Sequence, residues 1–225
     1  AMTRPGFEAD RFRIMLREGL DGADREVAPG WDRSPDALVW SRDGKTLYAT
    51  AQDVGQKSLF AIDVATGKVR TIVNEGMVNS PALAAGGRLL FLLDHLRSPA
   101  ELVSVRTDGS DPVRVTRIND ARLAEVRMGD GEQMSFAGAE GDTVYAYVVK
   151  PADFDPAKKY PVAFLVHGGP QGSFSNQWHY RWSPQVYAGR GYAVVMVDFH
   201  GSTGYGQAFT DAIRGDWGGK PLVDL

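Results

Sequence analysis

The chain has 225 residues, 43% of them hydrophobic and 24% charged, which are ordinary values for a globular protein. Its formal net charge of −3, with basic residues scattered singly, excludes an electrostatic case for nucleic acid. It contains no cysteine, which excludes disulfides, thiolate metal sites and cysteine nucleophiles within these residues. A cysteine-free chain suits cytoplasm and periplasm alike, so the compartment stays open. Ala1–Pro5 carries no apolar signal core, and Ala1 before Met2 reads as a tag scar. The longest apolar runs, such as Leu89 to Leu93, are far too short to span a bilayer.

The first half reads as repeated antiparallel strands. Trp40 to Thr50 is strand, Asp43-Gly44 turn, strand. Ser58–Val64 and Val69–Val73 follow, joined by a turn at Ala65–Lys68. A displacement of about 43 residues puts Gly44 on Gly87, Leu47 on Leu90, Leu59 on Leu102 and Ile62 on Val105. The second copy ends in Asp108-Gly109-Ser110, and a weaker, earlier copy ends at Leu20–Val27. Four short strands at this period predict β-propeller blades. An ordinary meander with chance similarity is the alternative. Three units cannot close a ring of about 4–8 blades, so further blades are expected on the N-terminal side.

The pattern changes near residue 125. Glu132–Phe136 and Thr143–Lys150 read as strands around an acidic, Gly-rich turn, and Pro151–Pro156 as a loop. Val162–Val166 is an almost wholly apolar strand, of the kind buried on both faces. Trp182–Gly189 reads as a helix, Ala193–Asp198 as a second apolar strand, and Gln207–Arg214 as a helix stopped by Gly215. Alternating strands and helices predict a parallel sheet with its chemistry at the carboxyl ends of the strands. His167-Gly168-Gly169-Pro170 and His200–Gly206 both fall at such ends.

The first of these loops has the composition of an oxyanion-hole loop, in which glycine lets backbone N–H groups approach a reacting carbonyl. A plain strand-ending turn is the competing account. The His200–Gly206 loop spaces its glycines at 201, 204 and 206, the wrong order for a dinucleotide fingerprint, and Gly219-Lys220 lacks the rest of a phosphate loop. Asp198 and His200 would share a strand face, but His95 and His179 have no short-range ligand partners, so no metal set is expected. Ser202, His167 and Asp198 could be drawn together as a triad, but Ser202 lacks the strained elbow that exposes a nucleophile. Phe174, Trp178, Tyr180 and Trp182 flank the His-Gly-Gly-Pro loop. Phe174 and Trp178 could line a pocket for an apolar substrate residue, although core and interdomain packing is the better-supported role.

Tyr160-Pro161-Val162, His167–Gln171, Gly191–Val194, Asp198–Gly206 and Asp216–Gly219 together resemble the prolyl oligopeptidase family of serine peptidases. The likeness covers about residues 155–225, and its nearest branch is that of dipeptidyl and acylaminoacyl peptidases. It implies the last blades of a β-propeller over residues 1–125 and the N-terminal part of an α/β-hydrolase domain over 126–225. It implies an oxyanion-hole loop at His167, Gly168 and Gly169, with histidine where family members often carry tyrosine. The nucleophile serine, in a Gly-x-Ser-x-Gly elbow, and the Asp and His of the triad are then expected beyond Leu225, because no such elbow occurs here. No catalytic triad residue is therefore expected in this chain, which alone should be inactive.

The resemblance also implies short peptide substrates, no metal or organic cofactor, and no nucleic acid or membrane partner. A homo-oligomer is possible. Contact with the remainder of the same protein is expected, and the segment should fold poorly without it. An esterase on the same fold and a non-catalytic propeller binding module are the alternatives.

Overall fold

The computed structural model describes residues 1–225. A short hairpin comes first, β1 (Ile14–Arg17) against β2 (Asp24–Val27). Two four-stranded antiparallel meanders follow. The first is β3 (Pro35–Trp40), β4 (Thr46–Asp53), β5 (Gln56–Asp63) and β6 (Val69–Val73). The second is β7 (Met77–Ala84), β8 (Arg88–His95), β9 (Ser98–Arg106) and β10 (Val113–Arg114). One parallel bridge, Lys57 with Met77, links them into a single hydrogen-bonded sheet. The earliest of the three expected repeats thus has only two strands.

Local chemistry sets the turns. Asp43 Oδ1 accepts from Ser41 Oγ and the Lys45 amide, and Asp63 Oδ1 accepts from the Thr66 amide and hydroxyl. Asp108 Oδ1 does the same for Ser110. These side chains mimic a backbone turn, which is why Asp recurs at the strand ends.

The meanders repeat with a slip. Leu47 pairs with Ile62 in the first and Leu89 with Val105 in the second, and all four are buried. The displacement that correctly places Leu102 and Val105 in β9 therefore puts Leu47 one residue off in β8, on Leu90. The cause is a bulge: pairing runs from Leu93–Glu101 to His95–Ser98, with the extra residue on β9. A one-residue slip exchanges the two faces, so Leu89 rather than Leu90 enters the core.

Alternation along β4 explains how the layers pack. Leu47 and Ala49 face a cluster with Ile14, Val27 and Ile62, whereas Tyr48 joins Leu59, Val78, Leu89, Phe91 and Val105 between the two meanders. Burying each such Leu or Ile side chain contributes roughly 1.5–3 kcal/mol.

After a one-turn helix, α1 (Asp120–Leu123), comes a separate four-stranded sheet in the order β11-β12-β14-β13. Its strands are β11 (Gly131–Ala137), β12 (Thr143–Val149), β13 (Val162–Leu165) and β14 (Ala193–Asp198), with α2 (Pro184–Ala188) between the last two. Only β13 and β14 run parallel; β12 is antiparallel to both β11 and β14. One face of the sheet packs Tyr147, Val149, Val194 and Met196 against Ala188 and Leu96. The other packs Val144, Ala146 and Val197 against Phe199 and Ile213.

Within these 225 residues the two-sided burial expected for 162–166 is not reached: β13 pairs with β14 alone, and Val162, Phe164 and Val166 are 59%, 43% and 51% exposed. The helices are also shorter than predicted. Pro184 occupies the first turn of α2, α3 (Gln207–Asp211) stops short of Arg214, and α4 (Lys220–Asp224) follows it. No helix is long and apolar enough to cross a membrane.

The β4–β5 turn docks on the second half. Tyr147 donates its hydroxyl to the Gly55 carbonyl at 3.2 Å and accepts from Gln56 Nε2 at 2.6 Å. Gln133 Nε2 donates to the Val54 carbonyl, and the Asn176 amide to that of Gly55. Buried polar groups at this seam are thus satisfied across it.

Near the end of the second meander, the buried Glu101 collects donors from Thr116 Oγ1, the Ile118 and Asn119 amides and Asn119 Nδ2. Burial alone would raise its pKa, but these hydrogen bonds outweigh it and hold the carboxyl at about 2. A depressed folded-state pKa contributes stability that is present above the unfolded value, near 4.5, and lost as pH falls toward 2. Glu101→Gln is expected to be less stable than the unsubstituted chain by roughly 3 kcal/mol at neutral pH, with the gap closing between pH 4.5 and 2. Urea midpoints measured across that range check this, and a gap independent of pH would overturn it.

Candidate functional site

The loop that leaves β13 is His167-Gly168-Gly169-Pro170, with a cis peptide between Gly169 and Pro170. Gly168 and Gly169 are exposed, and neither backbone N–H has an acceptor within the protein. Gly169 has φ of +133°, and a Cβ there would lie 2.9 Å from the Gln171 nitrogen. Only glycine fits that backbone. At Gly168 a Cβ would meet nothing within 4 Å.

His167 anchors the start of the loop. Its ring stacks on Phe199 with centroids 4.5 Å apart and meets the edge of Phe174 at 5.7 Å. Nε2 lies 2.9 Å from Ser202 Oγ and 3.6 Å from Asp198 Oδ1, and Nδ1 lies 3.2 Å from the Gly168 carbonyl. A carbonyl only accepts, so in this contact Nδ1 carries the proton.

The fold therefore brings Ser202, His167 and Asp198 together, but not as a triad. In a triad the carboxylate orients the base through its second nitrogen. In this loop Ser202 and Asp198 approach the same nitrogen, and Ser202 is 0% exposed, out of reach of any substrate.

Asp198 ends β14 and is buried. Its Oδ2 accepts from Ser173 Oγ at 2.5 Å and Tyr205 OH at 2.6 Å, and its Oδ1 from the Phe174 amide at 3.1 Å. Burial pushes this carboxyl up from its ordinary range, against the pull of Ser173, Tyr205 and His167. Burial, and Asp198 beside it, push the Tyr205 hydroxyl up as well.

Phe174 and Trp178 hold the far side of the loop. The Phe174 ring packs against the cluster formed by Leu96, Tyr147 and Met196. The Trp178 amide donates to Asp94 Oδ1 at 2.8 Å, tying the loop to the second meander. Tyr180 is almost fully exposed. A cavity of about 570 Å³ lies elsewhere, between the first meander and residues Thr203–Gln207. It is lined by Arg33, Asp36, Gln52 and Lys57 among others, and by neither Phe174 nor Trp178. Its charges are paired internally, Lys57 with Asp36 and Arg33 with Asp53. No group of three metal-ligating side chains comes together.

Sequence reasoning missed the buried pair made by His200 and Asp224. Asp224 Oδ2 accepts from both the backbone amide and Nδ1 of His200 at 2.7 Å, and Oδ1 accepts from the Ala139 amide. The two residues are 24 positions apart, and no local pattern joins them. Ser173 was also missed; a serine in a polar loop carries no distinguishing signal.

Residues 178–225 match the model of the "Prolyl oligopeptidase family". The whole chain is 37% identical over 231 residues to dipeptidyl-peptidase 5 of Schizosaccharomyces pombe, covering 33% of that protein. It is 36% identical to dipeptidyl-peptidase 5 of Trichophyton equinum, covering 32% of it. Among solved structures, acylaminoacyl peptidase of Pyrococcus horikoshii superposes on 96% of the chain with a TM-score of 0.81 at 22% identity, and 33% of that protein is covered. Dipeptidyl peptidase 4 of Porphyromonas gingivalis gives a TM-score of 0.67 at 20% identity, over 89% of this chain and 29% of that one. These likenesses show a shared fold. The chain spans about a third of the length of the relatives it matches.

Proposed function

We propose, for a chain related to the prolyl oligopeptidase family of serine peptidases, that it forms part of an exopeptidase and supplies half of its oxyanion hole. In this reading residues 1–125 are the last blades of a propeller, and residues 126–225 open an α/β-hydrolase domain. The two stacked four-stranded meanders support the first assignment, and the parallel β13–β14 pair supports the second. A nucleophile serine from a Gly-x-Ser-x-Gly elbow outside these 225 residues attacks the scissile carbonyl, with a histidine as base. Negative charge then develops on the carbonyl oxygen. The N–H groups of Gly168 and Gly169 meet it, together with the amide following the serine. A single such donor is worth about 10²–10³ in kcat.

The observation that carries this reading is the pair of exposed, acceptor-free N–H groups at the carboxyl end of a parallel strand. Unsatisfied donors aimed at solvent cost nothing in the free protein and are ready for an oxyanion. The substrate class, short peptides losing an N-terminal dipeptide or acylated residue, follows the named activities of the relatives. The full-length protein should cleave dipeptidyl or N-acetyl-aminoacyl nitroanilides and react with a fluorophosphonate at one serine. Turnover of short acyl esters alone would replace the peptidase reading with an esterase. Failure to label would point to a non-catalytic binding module.

A further inference from the structure

We infer that Asp198 is a positioning residue that holds the His-Gly-Gly-Pro loop in its working geometry. This inference rests on the oxyanion reading above. The carboxylate holds the end of the loop, where Ser173 Oγ and the Phe174 amide donate to it at 2.5 and 3.1 Å, and it lies 3.6 Å from Nε2 of His167 at the start. Between these points lie Gly168 and Gly169, which have no hydrogen-bonded support for their own N–H groups.

The rest of the loop is braced around the same centre. Ser173 Oγ also lies 2.8 Å from Ser175 Oγ and accepts from the Ser175 amide, and the Thr203 amide donates to the Gly172 carbonyl. Tyr205 donates its hydroxyl to Oδ2, the same carboxylate oxygen that accepts from Ser173. Asp198 sits on β14, whose neighbour β13 launches the loop, so it shares the rigid frame of the sheet. Donors in an oxyanion hole act through preorganisation, and a displacement of about 1 Å costs on the order of 100-fold in rate. A buried carboxylate with three convergent donors supplies that rigidity without touching substrate.

Asp198→Asn in the full-length enzyme keeps the shape but places an amide donor among donors. The expected result is a kcat lowered about 10–100-fold with KM within about twofold. Affinity for a peptide aldehyde, which forms a tetrahedral adduct, should weaken by the same factor as kcat. Ser173→Ala removes the grip at one end and should shift the same two quantities to a smaller extent, which keeps the test available if Asp198→Asn does not fold. Gly169→Ala serves as the control on the loop itself. If it lowers kcat while both Asp198→Asn and Ser173→Ala retain kcat within twofold, the positioning role is overturned and the oxyanion reading stands. If Gly169→Ala leaves kcat intact, the oxyanion reading falls and this inference with it. Loss of thermal stability with no change in kcat or aldehyde affinity would show Asp198 to be structural only.

Discussion

Asp224→Ala is expected to lose about 3–5 kcal/mol of folding free energy, the range for breaking a buried pair by removing one partner. The carboxylate is fully buried and accepts three hydrogen bonds, from His200 N, His200 Nδ1 and Ala139 N. Truncation leaves all three donors without an acceptor, and each unsatisfied buried group costs about 1–3 kcal/mol. Asp142 also lies 3.2 Å from His200, at Nε2, but its side chain is 63% exposed. Asp142→Ala should therefore cost no more than about 1 kcal/mol. Urea denaturation of the two variants side by side makes the comparison. Equal losses would show that Asp224 does not hold α4 to the 139–141 turn and the end of β14.

Gly201→Ala comes next in size. Gly201 has φ of +110°, a region side chains avoid, and a Cβ there would lie 2.8 Å from Ile213 Cγ2. Ile213 is itself buried among Val144, Ala146 and Phe199 and cannot retreat. Backbone strain of about 1–3 kcal/mol and overpacking of about 1–3 kcal/mol add to a loss of roughly 2–6 kcal/mol. Gly168→Ala is the matched control, because a methyl group there meets nothing within 4 Å. Thermal melts of the two should differ clearly, and a Gly201→Ala variant as stable as Gly168→Ala would show that the loop yields at little cost.

The legible parts of this fold share one property: neighbours in sequence decide them. The turns at Asp43-Gly44, Ala65–Lys68 and Asp108–Ser110 were visible because an Asp side chain caps the backbone two or three residues on. The strand order of each meander follows from short hairpins. The family likeness was carried by contiguous motifs in the last third of the chain, where the family match also lies.

What failed depended on partners distant in sequence. The apolar run at Val162–Val166 reads as buried on both faces, but covering those faces takes partners distant in sequence, and within these residues Val162, Phe164 and Val166 stay exposed. A bulge in β9 displaced the repeat in β8 by one residue, and composition does not reveal on which strand an extra residue sits. The antiparallel entry of β12 beside β14 turned an expected parallel sheet into a mixed one.

The candidate site divides along the same line. The residue order by itself determined that a glycine loop closes an apolar strand, because two glycines and a proline do not extend a strand ladder and glycine admits the positive-φ backbone found at Gly169. It also determined that no nucleophile elbow lies within the chain. Tertiary structure alone decided what the neighbouring polar residues do. Ser202, His167 and Asp198 converge, but with both oxygen groups on one imidazole nitrogen, so they brace the loop and do not form a relay. A residue type sets which hydrogen bonds are available. Which of them form is settled by the distances and angles that packing imposes, and those depend on the whole chain.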